Sequence, residues 1–144
     1  MHMARSILLV EDNPMDIDLT QRAFARRNLS KTIEVARDGQ EALDCLARWE
    51  AGAPPPMLVL MDINLPKVSG LDVLLQLRAH PTFGQLPVVM LTTSDEDEDV
   101  KRAYARGANS YIVKPVSFEN FVEIAAQIDL YWLVLNTPPL QSRP

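Results

Sequence analysis

Five short apolar runs alternate with longer amphipathic segments, and this alternation constrains the fold more than any other feature of the chain. The runs are SILLV (residues 6–10), TIEVA (32–36), MLVLM (57–61), LPVVMLT (86–92) and SYIVK (110–114). Helical patterns cover 15–27, 40–50, 71–78, 98–106 and 118–136. Turn signals separate them at DNP, DGQ, AGAPPP, LPKVSG, HPTFGQLP and RGANS. Strand and helix signals in strict alternation imply βαβ units, and so a parallel sheet covered by helices on both faces. The expected class is α/β: a doubly wound five-stranded parallel sheet flanked by five helices. The second run alternates polar and apolar residues more than the others, as an edge strand does. With 144 residues, no internal repeat and no long linker, the chain suits a single core.

The chemistry lies where the runs stop. The first ends in Glu11-Asp12, the third in Asp62, the fourth in Thr92-Thr93 and the fifth in Lys114-Pro115. Open parallel sheets bind ligands beyond the carboxyl ends of their strands, so these polar ends are expected to share one crevice. A buried carboxylate without a partner is costly, and three at close range raise at least one pKa. A hard divalent cation relieves this; Mg²⁺ takes oxygen ligands and is often held by one or two carboxylates plus a phosphate. Lys114 adds a positive charge and Thr92 a hydroxyl donor. The set suits a phosphoryl group carried on Asp62, formed by attack of its carboxylate on phosphorus. Such transfer depends mostly on positioning and charge neutralisation.

Composition narrows the partners. Fourteen basic and 19 acidic residues give a net charge of −5, which disfavours nonspecific nucleic-acid binding. No apolar run is long enough to span a membrane, and no signal peptide is visible. The expected location is cytoplasmic, with neither nucleic acid nor membrane as partner. The single cysteine, Cys45, lies in an apolar helical pattern and reads as core. The acidic run at 95–99 reads as a solvated stretch favouring a helix N-terminus, with a metal site as the alternative. His2 and His80 have no metal-like spacing.

Together, ILLVEDNP, LMDINLPKVSG, LPVVMLTTS and GANSYIVKP resemble the receiver domain of two-component response regulators, over nearly the whole chain. The resemblance implies a flavodoxin-like receiver fold over residues 3–137, with 138–144 as a C-terminal tail. It implies that Asp62 accepts a phosphoryl group from a histidine kinase in a reaction dependent on Mg²⁺ or Mn²⁺. Asp12 would touch the metal directly and Glu11 mainly through water, Asp62 would be a further ligand, and the backbone carbonyl of Asn64 would complete the protein ligands. Thr92 corresponds to the switch hydroxyl, Lys114 to the lysine that pairs with the phosphate, and Tyr111 to the switch aromatic that turns inward. Asn64 and Ser94 occupy positions that influence phosphate lifetime. The Lys114–Pro115 bond is expected to be cis. Such a protein is a phosphoacceptor that catalyses its own phosphorylation and dephosphorylation, not an enzyme with a separate substrate.

The chain stops soon after the fifth helical pattern, so output is expected through a surface. Phe118, Phe121, Val122, Ala125, Ile128 and Trp132 follow one buried stripe. The segment LYWLVL (130–135) is apolar all round, which one sheet face cannot cover. Tyr131, Trp132 and Leu135 are therefore expected at a homodimer interface. The ending FVEIAAQIDLYWLVLNTPP and the loop ARWEAGAPPP resemble single-domain regulators that serve phytochrome-type histidine kinases. Two other functions compete: a Mg²⁺-dependent aspartyl-phosphate phosphatase, and an interaction module that works without phosphorylation. Against the first stands Asn64, where such phosphatases carry an acid/base carboxylate. Against the second stands retention of Glu11, Asp12, Asp62, Thr92 and Lys114.

Overall fold

The computed structural model describes residues 6–26 and 33–137. Its elements alternate as β1 (Ile7–Val10), α1 (Pro14–Ala25), β2 (Ile33–Ala36), α2 (Gly39–Glu50), β3 (Leu58–Met61), α3 (Gly70–Arg78), β4 (Val88–Thr92), α4 (Asp97–Ala105), β5 (Ser110–Val113) and α5 (Phe118–Ile128). The expected ends at residues 27 and 32, the first residues of the expected domain (3–5) and the tail at 138–144 lie outside the described residues.

All neighbouring strands pair in parallel, in the order β2-β1-β3-β4-β5. β2 is an edge strand, as its alternation suggested. Successive strand residues face opposite sides. Leu8, Val10, Val59, Met61, Val88 and Met90 enter one core layer with Ala42, Cys45 and Trp49 of α2 and Leu74 and Leu77 of α3. Ile7, Leu9, Leu58, Leu60 and Val89 enter the other with Ile17 and Phe24 of α1 and Phe121, Ala125 and Ile128 of α5. Burial on both faces explains why these runs are almost continuously apolar. Cys45 is a buried core residue, and burial pushes its thiol up.

The order reverses between β1 and β3, and in a doubly wound sheet that switch point opens a crevice beyond the strand ends. Val10 is in register with Met61, so Glu11 and Asp62 emerge side by side. Local capping then carries the chain away. Asn13 caps α1, accepting hydrogen bonds from the amides of Met15 and Asp16, with Pro14 in the first turn. Ser69 caps α3. Gly70 allows a close approach there: a Cβ on it would lie 1.9 Å from the Asp62 carbonyl oxygen.

Two expectations are corrected. The last helix is not one α-helix to residue 136. It passes into a π-helical segment, Asp129–Leu135, in which the Asn136 amide reaches the Tyr131 carbonyl at 2.6 Å. The wider turn moves the buried stripe on from Ile128 to Leu133, five residues later, and leaves Trp132 half-buried. Phe118 and Val122 are likewise only partly buried. No peptide bond among the described residues is cis, including Lys114–Pro115. Trans is the ordinary preference of an X-Pro bond, and the backbone here keeps it.

Candidate functional site

Asp62 stands one residue beyond β3, 7% exposed. Its amide donates to the Val10 carbonyl at 3.0 Å, which extends the sheet pairing to the site. Its Oδ1 accepts from the amides of Ile63 at 2.7 Å and Asn64 at 3.4 Å, while Oδ2 accepts from Lys114 Nζ at 3.0 Å. The buried charge is thus fully paired, as its desolvation requires.

Glu11, Asp12 and Asp62 bring carboxylate oxygens within 4.8 Å of one another. Glu11 is almost fully buried and Asp12 exposed. Burial raises the Glu11 pKa above its usual value, against the opposing hydrogen bond from Lys114, and Asp62 nearby adds to the rise. Hard oxygen donors crowded in this way suit Mg²⁺ or Mn²⁺. Asn64, expected to add a backbone carbonyl, lies exposed two residues after Asp62.

Lys114 follows β5, with its amide donating to the Thr92 carbonyl at 2.7 Å. Its ammonium makes three ion pairs: Glu11 at 2.5 Å, Asp16 at 2.8 Å and Asp62 at 3.0 Å. Burial acts to lower the Lys114 pKa, but hydrogen bonds to Asp16, Glu11 and Asp62 outweigh it and raise it above the usual lysine range.

Thr92 ends β4 fully buried, with Oγ1 accepting from the Ser94 amide at 3.4 Å. Ser94 in turn donates its hydroxyl to Asp99 at 2.6 Å. Half-buried Tyr111 donates its hydroxyl to the Ser94 carbonyl at 2.8 Å, so its ring is tethered to the loop after β4. Burial raises the Tyr111 pKa and keeps the phenol a donor. The acidic run supplies three residues to the first turn of α4, the helix-terminal placement expected of it.

Two residues escaped sequence reasoning. Asp16 looks like an ordinary first-turn acid, yet its carboxylate meets Lys114. Arg78 ends α3, yet its guanidinium donates to the carbonyls of Gly84, Leu86 and Gly107 and to the Asn109 side chain. Neither is marked by periodicity or by position at a strand end.

A parallel sheet in this order, with an acidic cluster and a lysine beyond β1, β3 and β5, defines a doubly wound α/β protein with a charged crevice at its switch point. The family model described as the response regulator receiver domain matches residues 7–126, and the chain belongs to that family. It is 46% identical over 134 residues to FilR2 of Methanothrix harundinacea, a probable methanogenesis regulatory protein, covering 92% of this chain and 86% of that one. The crystal structure of the phosphorylated cyanobacterial phytochrome response regulator RcpA superposes with a TM-score of 0.86 and 37% identity, covering 96% of this chain and 99% of that one. The Mn²⁺-bound form of response regulator Rcp1, a protein of Synechocystis, superposes with a TM-score of 0.81 and 33% identity, covering 94% and 99%. The chain is thus a receiver-type response regulator close to phytochrome response regulators. Among the described residues no helix is long and apolar enough to cross a membrane.

Proposed function

We propose that this receiver takes a phosphoryl group from a histidine kinase onto Asp62 and signals through its surface, acting as a cytoplasmic phosphoacceptor. One observation carries the reading: a nearly buried Asp62 carboxylate lies between two further acids and the Lys114 ammonium. An Asp62 oxygen attacks phosphorus, the P–N bond to the kinase histidine breaks, and its electron pair leaves with the imidazole. Asp12, Glu11, Asp62 and the carbonyl of Asn64 would hold Mg²⁺ or Mn²⁺, which would supply charge neutralisation for the phosphoryl oxygens. Lys114 neutralises the product, an anion carrying close to two charges. Thr92 supplies a hydroxyl, and Tyr111 reports its state through Ser94. Likeness to the phytochrome response regulator RcpA supports a phytochrome-type kinase as the donor.

Acetyl phosphate with Mg²⁺ is expected to label wild type once and stably, and to leave Asp62→Asn unlabelled. Equal labelling of both would refute the nucleophile. Continuous turnover of the phosphodonor would indicate a phosphatase, and no labelling of wild type an unphosphorylated interaction module.

The exposed apolar side chains of the last segment support it as the output surface. Leu130, Tyr131 and Leu135 are 54%, 52% and 62% exposed, and Tyr131 meets half-buried Trp132 edge-on at 4.9 Å between centroids. Beside them a groove is lined by Ile112, Ile124 and Ile128. A homodimer across a two-fold axis would bury this patch twice. Each additional large side chain buried contributes about 1.5–3 kcal/mol. Sedimentation is expected to show a dimer for wild type and a monomer for the Tyr131→Glu, Leu135→Glu double variant. A wild type that stays monomeric at high micromolar concentration, with and without beryllofluoride, would refute the dimer.

A further inference from the structure

The three partners of Lys114 are not equivalent. Glu11 and Asp62 belong to the acidic cluster suited to a metal, and Asp16 does not. An ammonium has three N–H donors, so all of them are committed. The Lys114 side chain is 5% exposed and that of Asp16 is 22% exposed, which makes the third pair the least enclosed.

Helix capping does not account for where the Asp16 carboxylate goes. Asp16 is the third residue of α1, where an acid commonly reaches back to the amide of the N-cap residue. Here the Asn13 amide donates instead to Glu11 Oε2 at 3.2 Å, and the Asn13 side chain serves the amides of Met15 and Asp16. The Asp16 carboxylate meets an ammonium 98 residues away in the chain.

This arrangement matters when a cation enters. Lys114 and a divalent ion would draw on the same two carboxylates, Glu11 and Asp62. With no other anion in reach, the ammonium would either hold those carboxylates against the ion or lose its place beside Asp62. We propose that Asp16 is a positioning residue for Lys114, holding its ammonium beside Asp62 while a divalent cation claims Glu11 and Asp62. The proposal rests on the reading of Asp62 as a metal-dependent phosphoacceptor. A carboxylate at Asp16 also attracts cations through space, whether or not Lys114 is there. A thermodynamic cycle separates the two effects.

Mg²⁺ affinity is measured by calorimetry for wild type, Asp16→Ala, Asp16→Asn, Lys114→Ala and the Asp16→Ala, Lys114→Ala double variant. Beryllofluoride affinity at saturating Mg²⁺ is measured for the first three. Asp16→Ala is expected to weaken Mg²⁺ binding about fivefold, the order of a coupling between contacting residues. Asp16→Asn keeps an acceptor for the ammonium and should recover most of that loss, and most of the accompanying loss in beryllofluoride affinity. In the Lys114→Ala background, removing Asp16 should change Mg²⁺ affinity little. An equal Asp16→Ala effect with and without Lys114 would make Asp16 a plain charge and overturn the proposal, as would no effect in either background. Wild type binding neither Mg²⁺ nor beryllofluoride would overturn the phosphoacceptor reading and this proposal together. Wild type binding both, without the coupling, would overturn this proposal alone.

Discussion

A partly or fully buried cation stands at each end of β5, and the two are satisfied in opposite ways. Before the strand, Arg78 spreads its planar fork over neutral oxygens: Gly107 at 2.9 Å, Gly84 at 3.1 Å, Leu86 at 2.6 Å and the Asn109 side chain at 2.8 Å. The same Asn109 oxygen accepts the Val88 amide at 2.8 Å, which ties the starts of β4 and β5 together. Burial lowers the Arg78 pKa, yet a guanidinium stays charged. A Cβ at Gly107, where φ is +101°, would lie 2.9 Å from its Nε. After the strand, Lys114 is held by three carboxylates, and its pKa rises despite burial. Carbonyl partners are already spent on Arg78 and do not suit a competing role, so that end is fixed. Carboxylate partners can be claimed by a metal and, on the proposed function, altered by a phosphoryl group, so the other end is the one open to change. Similar desolvation physics thus gives a clamp of neutral oxygens at one end and a contact held by carboxylates at the other.

The largest expected effect comes from the clamp. Arg78→Ala leaves several carbonyl oxygens without their charged donor and should lower stability by about 3 kcal/mol. Urea unfolding should show the same loss with and without Mg²⁺; rescue by Mg²⁺ would break the comparison. Next comes Lys114→Ala, expected to cost about 2 kcal/mol in the absence of metal, since it leaves neighbouring carboxylates unneutralised. Saturating Mg²⁺ should shrink that loss, because the ion binds the folded site and replaces the missing charge. A loss that Mg²⁺ leaves unchanged would put Lys114 in the same class as Arg78. The folded-state pKa of Lys114 is raised, so its contribution is complete below the unfolded lysine value of about 10.4 and is lost only above it. Its titration therefore adds no slope near neutral pH. The smallest effect is at Tyr111, between the two ends. Tyr111→Phe removes one partly exposed hydrogen bond to the Ser94 carbonyl and should cost about 0.5–1 kcal/mol. Beryllofluoride with Mg²⁺ should enlarge that difference if Tyr111 answers to the Lys114 end. An unchanged difference would assign it to the fixed end.

The residues at the strand ends were legible because their meaning is nearly local. A run such as MLVLM followed by Asp62 states both a buried strand and the point where it stops. Placing Glu11, Asp62, Thr92 and Lys114 together then needs only parallel strands with their carboxyl ends on one side. The last helix was less legible. Spacing alone supports an α-helical stripe through Ile128 and Trp132, whereas the π-helical segment buries Leu133 instead. Which of two apolar neighbours faces the core depends on the surface they meet, and periodicity carries no record of that surface.

The sequence by itself determined the parallel α/β sheet, its edge strand β2, the acidic cluster and the lysine beyond it, because hydrophobic period and strand-end chemistry act over a few residues. Only the tertiary structure decided that Asp16 would serve Lys114 across 98 residues, and that Arg78 would reach Gly107 and Asn109 across 29 and 31. Asp16 and Arg78 are unexceptional helix-end charges until α1 and α3 pack against the sheet. Burial then removes water as their partner, and the nearest opposite charge or oxygen, however distant in the chain, must take its place.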